Sequence, residues 1–143
     1  MKNVMTKLTI AAAAFVAAAG VASAQTMEAK IPFAFRASGK VLAAGTYQVR
    51  MKSRPTGSRL LIISSRNTGQ DALALAYPSG EAKAAWKAEG DAVLSFQCGV
   101  SRCDLTDVWS GSAEPVYHVP AMGLGKDEPT RTAEIVMHAV KGD

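Results

Sequence analysis

Ala92-Val-Leu-Ser-Phe-Gln-Cys98-Gly-Val-Ser-Arg-Cys103-Asp-Leu-Thr-Asp-Val-Trp109 holds two seven-residue runs around a four-residue gap. Each run is rich in β-branched, aromatic and aliphatic residues, and each is bounded by Gly, Ser or Asp, the pattern of paired strands. If Val100-Ser101 is a two-residue turn, Gly99 pairs with Arg102. Cys98 then faces Cys103 at a non-hydrogen-bonded position, where side chains approach most closely. The same register sets Phe96 opposite Leu105 and Val93 opposite Val108. The spacing therefore predicts a hairpin closed by a structural disulfide. A reactive dithiol has two intervening residues, not four, and usually opens a helix.

Outward from this hairpin the two-residue alternation continues. Ile31, Phe33 and Phe35 alternate with Pro32 and Ala34, and Pro32 places that strand at an edge or at its own start. Tyr47, Val49 and Met51 alternate with Gln48, Arg50 and Lys52. Residues 60–64 read as a short apolar strand, buried on both sides in a sandwich. Residues 72–77 set Leu73, Leu75 and Tyr77 on one face and three alanines on the other. Pro78-Ser79-Gly80 reads as a turn, residues 82–88 as a further strand, 116–119 as a short strand and 132–140 as a last one. Turns recur about every ten residues, which argues for an all-β antiparallel sandwich or barrel.

The N-terminus carries a different pattern. Lys2 and Lys7 precede an uncharged alanine-rich run over residues 8–24, which ends in Ala22-Ser23-Ala24. Basic, apolar and small-residue regions in that order are the mark of a cleavable secretory signal peptide. The run is short for a bilayer span of about 30 Å. Without an Arg-Arg pair it reads as a substrate of the general secretory route. The expected organisation is a signal peptide over 1–24 and a single β-domain over 25–143, periplasmic or extracellular, with no membrane span after processing. An oxidising compartment also favours the Cys98–Cys103 bond.

Charge is unevenly placed. The net charge is +4, yet eight basic residues and no acid lie between Ala29 and Gln70, while eleven acids lie from Asp71 onward. Arg50, Lys52, Arg54, Arg59 and Arg66 are the candidate anion-binding face. An anionic envelope polymer or another envelope protein is the expected kind of partner. The basic half lacks interleaved aromatics, which argues against nucleic acid.

Catalytic patterns are weak. His118 and His138 lack local pairing for zinc, and Glu134 and His138 stand about 13 Å apart along one strand face. Nothing in the spacing of Ser110, His118 and Asp107 unites them as a hydrolase triad. Met122-Gly-Leu-Gly-Lys126 has no strand before it or helix after it, so it is a poor phosphate loop. Trp86, Trp109 and Tyr117 are expected in the core, with an aromatic ligand site as the alternative. No catalytic residue, metal or cofactor is assigned. The expected role is a non-catalytic binding or envelope/matrix component. The alternatives are a polysaccharide- or small-ligand-binding module using the basic half, and a small hydrolase.

Lys30-Ile-Pro-Phe-Ala-Phe35, followed by Gly39-Lys40-Val-Leu42-Ala-Ala-Gly45-Thr46-Tyr47-Gln-Val49, resembles the start of small exported β-proteins of unassigned function that are numerous in acidobacteria. Leu105-Thr-Asp-Val108-Trp109 is similar to a second motif of that group. Ala43 stands where a proline is common, and Cys98 and Cys103 stand where aromatics are commoner. The resemblance implies a secreted β-domain and carries no catalytic residues.

Overall fold

The structure is a computed structural model that describes residues 25–121, 123 and 128–140. The expected signal peptide, residues 1–24, lies outside the described residues, as does most of the Met122–Lys126 segment. The elements are β1 (Met27–Ile31), β2 (Phe35–Ala37), β3 (Lys40–Leu42), β4 (Gly45–Ser53), β5 (Arg59–Ser65), β6 (Asp71–Gly80), α1 (Ala84–Glu89), β7 (Ala92–Cys98), β8 (Cys103–Trp109), β9 (Val116–His118) and β10 (Arg131–Ala139).

Eight of these strands close an antiparallel barrel in the order β8-β7-β10-β1-β4-β5-β6-β9, with β9 returning to β8. Closure removes the exposed edges that an open sheet would present. The closing strand is only three residues long. It pairs His118 with both Tyr77 of β6 and Asp107 of β8. At the other end of this seam the β2–β3 hairpin lies against β8, parallel to it at Arg36 and Asp104. Lys40 of that hairpin donates to the carbonyl of Asp71, where β6 begins. The hairpin turns at Ser38 and Gly39, at φ 50° and 82°, the left-handed pair a two-residue turn needs.

Strand alternation fills the barrel with side chains. Met27, Ala29 and Ile31 of β1, Tyr47 and Val49 of β4, Leu61 and Ile63 of β5 and Leu94 and Phe96 of β7 are all buried in one cluster. On β6 the inward residues are Ala72, Ala74 and Ala76. The bulky rings of the same core come from elsewhere. Phe35 meets Tyr47 and Phe96 edge-on at 5.3 and 5.4 Å, and Phe33 meets Phe96 at 5.1 Å. Leu73, Leu75 and Tyr77 are consequently turned outward.

The β7–β8 hairpin has the expected pairing at its tip, with Cys98 opposite Cys103 and Phe96 opposite Leu105. Further down the register shifts. Ser95 faces Asp107, Leu94 faces Val108, and Val93 faces Trp109 rather than the expected Val108. The extra residue is Thr106, whose hydroxyl donates to the carbonyl of Ser95. A bulge of this kind inverts the alternation beyond it. Val108 therefore enters the barrel core, while Trp109 turns out into a second cluster with Ala82, Trp86, Val93 and Val116.

That second cluster explains the clearest correction. Residues 82–88 were expected as a strand, but Ala84–Glu89 is helical. Alanine and lysine favour helix, and six residues cannot hold a helix alone. Trp86 supplies what the local sequence lacks. It is buried, stacks on Trp109 at 6.2 Å and 24°, and donates its indole N–H to Glu134 at 2.8 Å. Gly90 ends the helix at φ 79°, a left-handed cap that glycine adopts without strain.

Three smaller corrections follow from the barrel. Pro78-Ser79-Gly80 does not turn the chain; β6 runs through it, with an irregularity between Pro78 and Gly80 where β9 pairs. Residues 60–64 are not buried on both sides, because only Leu61 and Ile63 face the interior. Ile31 and Phe35 belong to different strands, since Pro32 ends β1.

Candidate functional site

The hairpin tip is held by the Cys98–Cys103 disulfide, with the two Cα atoms 4.0 Å apart. Both cysteines are buried, and the Gly99 N–H donates to the Arg102 carbonyl at 2.7 Å. Beside them Asp104 is 2% exposed and accepts two hydrogen bonds from the Arg36 guanidinium, at 3.1 and 3.2 Å. Arg102 approaches the same carboxylate at 3.7 Å. This charge cluster ties β2 to β8 and closes the seam, which is a structural task.

The five candidate anion-binding residues divide. Arg50 and Lys52 point outward from β4, and Arg54 follows in the loop; all three are exposed. No carboxylate among the described residues forms an ion pair with any of the three. Arg59 instead pairs with Glu114 at 3.4 Å and lies over the Tyr117 ring at 5.1 Å. Arg66 pairs with Glu28 at 2.8 Å. The structure thus leaves Arg50, Lys52 and Arg54 exposed with no ion pair among the described residues and engages Arg59 and Arg66 with carboxylates.

Sequence reading missed what lies beside these cations. The register sets Arg50 opposite Ile62, and Ile62 opposite Leu73. One row along, Lys52 faces Leu60, and Leu60 faces Leu75. All six side chains are on the outer face. Leu73 is 59% exposed, Leu75 38% and Tyr77 46%. Arg54, Leu60, Leu73, Leu75 and Tyr77 line a shallow groove of about 360 Å3 that reaches Ser38 and Pro120. The alternation of Leu73, Leu75 and Tyr77 with three alanines was the available signal; which set faced inward was not.

A second groove, also of about 360 Å3, runs beside α1 over the outside of β7 and β8. Its lining is mixed, with Ser79, Lys83, Ser95, Thr106, Asp107 and His118 beside Trp86, Phe96 and Val116. The closure of the barrel through β9 brings His118 Nδ1 within 3.3 Å of Asp107 Oδ1. Ser110 lies in a different depression, with Gln25, Met51 and Arg59, so the three residues of the sequence-level triad do not line one groove. At the rim Glu134 accepts from Trp86 and, at 3.2 Å, from Lys83. The indole hydrogen bond, with the Lys83 charge behind it, holds the Glu134 carboxyl below the usual glutamate range against the opposing effect of burial. Inside the barrel, burial pushes the Tyr47 phenol up.

Trp86, Trp109 and Tyr117 are buried; Tyr117 packs in the barrel core and the two tryptophans in the second cluster, and Trp86 also lines the groove beside α1. Among the described residues no group of three or more His, Cys, Asp or Glu side chains could hold a metal ion. No helix of the described residues is long and apolar enough to cross a membrane. No family model, no curated protein and no solved structure matches this chain.

Proposed function

We propose that the chain is exported by the general secretory route, loses residues 1–24, and serves outside the cytoplasm as a non-catalytic binding component of the envelope or matrix. Its binding face is the outer surface of β4, β5 and β6, and its partner is anionic. The observation that carries this reading is the set of three exposed cations, Arg50, Lys52 and Arg54, which make no ion pair among the described residues and lie beside exposed leucines. Contiguous exposed apolar side chains rimmed by polar or charged ones mark interaction surfaces. The side-chain-filled interior directs attention to the outside of the barrel. The disulfide supports an oxidising compartment.

The test is retention on an anionic polymer such as dextran sulfate. Retention should weaken steeply from low to physiological salt, as the screening length falls to about 8 Å. A paired Arg50→Glu and Lys52→Glu change should abolish it, whereas Arg66→Glu, at a residue already paired with Glu28, should change it less. Salt-independent retention, or none at low salt, would overturn the reading.

The His118–Asp107 contact favours a second reading, a small polar ligand such as a saccharide held in the groove beside α1. A ligand bound there should raise the unfolding temperature by linkage, and His118→Ala should remove that rise.

A further inference from the structure

We infer that the outer face of β4–β6 docks onto a lipid surface carrying anionic headgroups; the inference rests on the proposal that this face is the binding face. The arrangement of side chains across the three strands identifies the chemistry. In each row a cation on β4 is followed by an aliphatic side chain on β5 and an exposed leucine on β6: Arg50, Ile62 and Leu73 in one, Lys52, Leu60 and Leu75 in the next. Neighbouring strands are about 4.8 Å apart, so charge and exposed leucine are separated by roughly 10 Å.

A polysaccharide would satisfy the cations and leave Leu73 and Leu75 in water. An apolar partner would satisfy the leucines and desolvate the cations. A second copy meeting this face across a two-fold axis would set the cationic β4 side against itself or against the leucines. A lipid interface supplies both needs within the available distance. Its phosphates meet Arg50, Lys52 and Arg54, whose aliphatic stems lie on the apolar layer, and the acyl boundary receives Leu73 and Leu75. Tyr77, next along the same strand face and 46% exposed, carries the amphipathic ring that prefers the level between headgroup and hydrocarbon. Val41, 66% exposed, lies on the β2–β3 hairpin whose Lys40 reaches the first residue of β6.

The experiment is flotation with phosphatidylcholine vesicles, with and without phosphatidylglycerol, beside a dextran sulfate column. The protein is taken from the exported fraction. Variants Leu73→Ser with Leu75→Ser, and Arg50→Glu with Lys52→Glu, share the N-terminus of the parent, so differences between them report this face alone. All four side chains are outside the barrel, and circular dichroism verifies the fold. The parent should float with phosphatidylglycerol vesicles and not with phosphatidylcholine alone. Affinity should fall about fivefold for each unit of positive charge removed, two units per reversal, and by about fivefold for each leucine. Retention on dextran sulfate without flotation, or flotation unchanged in the leucine variant, would overturn the lipid inference while leaving the anionic partner in place. Binding to neither would overturn both.

Discussion

Breaking the Cys98–Cys103 bond gives a stability change that can be worked from the chain itself. The bond closes a loop with a sequence separation of only 5. The chain-entropy relation assigns a loop of that size about 2 kcal/mol at room temperature. Reduction leaves both sulfurs in the core, so the reduced protein should lose about this amount and little else. The hairpin then still has its Gly99–Arg102 backbone hydrogen bond and the Val100 N–H donated to Glu128. Replacing both cysteines by alanine also removes two buried sulfurs, which adds roughly 1 kcal/mol of lost packing. In urea, at ~1–3 kcal/mol per molar, reduction should lower the midpoint by about 1 M, and the double alanine variant should fall further. Native protein should show no titratable thiol. Two reactive thiols, or a reduced midpoint equal to the oxidised one, would refute the reasoning. Unfolding on reduction would refute it from the other side.

Four other substitutions test separate parts of the barrel. Asp104→Ala leaves Arg36 without both of its side-chain hydrogen bonds and should cost about 2–3 kcal/mol in chemical unfolding. Ala74→Leu adds volume to a filled interior and should cost about 1–3 kcal/mol, whereas Leu73→Ser on the opposite face should stay within about 0.5 kcal/mol by the same assay. Trp86→Phe should cost roughly 1 kcal/mol for the lost hydrogen bond to Glu134. It should also flatten an acid limb: the lowered Glu134 pKa gives stability that is full above the ordinary value of 4.5 and is lost as pH falls through the lowered one. Thermal unfolding across that range checks the sign, and an effect well under 1 kcal/mol is expected for so exposed a carboxylate.

The hairpin was legible because its evidence is local. Strand propensity, turn residues and cysteine spacing all lie between Ala92 and Trp109. Its bulge was not, because Thr106 becomes the extra residue only once Val108 is needed in the core and Trp109 under the helix. The helix at Ala84–Glu89 was misread for a related reason: Trp86 is anchored by Trp109 and Glu134, both distant in sequence. On β6 the alternation was plain, but its direction depends on how much room the barrel leaves. The interior takes Ala72, Ala74 and Ala76 and sends the leucines out. β1 was overlooked although Met27, Ala29 and Ile31 alternate cleanly with Glu28 and Lys30. In the basic stretch, strand parity sends Arg50 and Lys52 outward together. The capture of Arg59 by Glu114 and of Arg66 by Glu28 depends on acids 55 and 38 residues away.

The most direct test of the account is a map of where an anionic ligand touches the barrel. Backbone amide shifts recorded by NMR during titration with short dextran sulfate fragments would give it. The expected result is movement centred on Arg50, Lys52 and Arg54 and on Leu60 and Ile62 paired beside them, reversed by salt. Movement centred instead on Thr106, Asp107 and His118, or no movement at low salt, would contradict it.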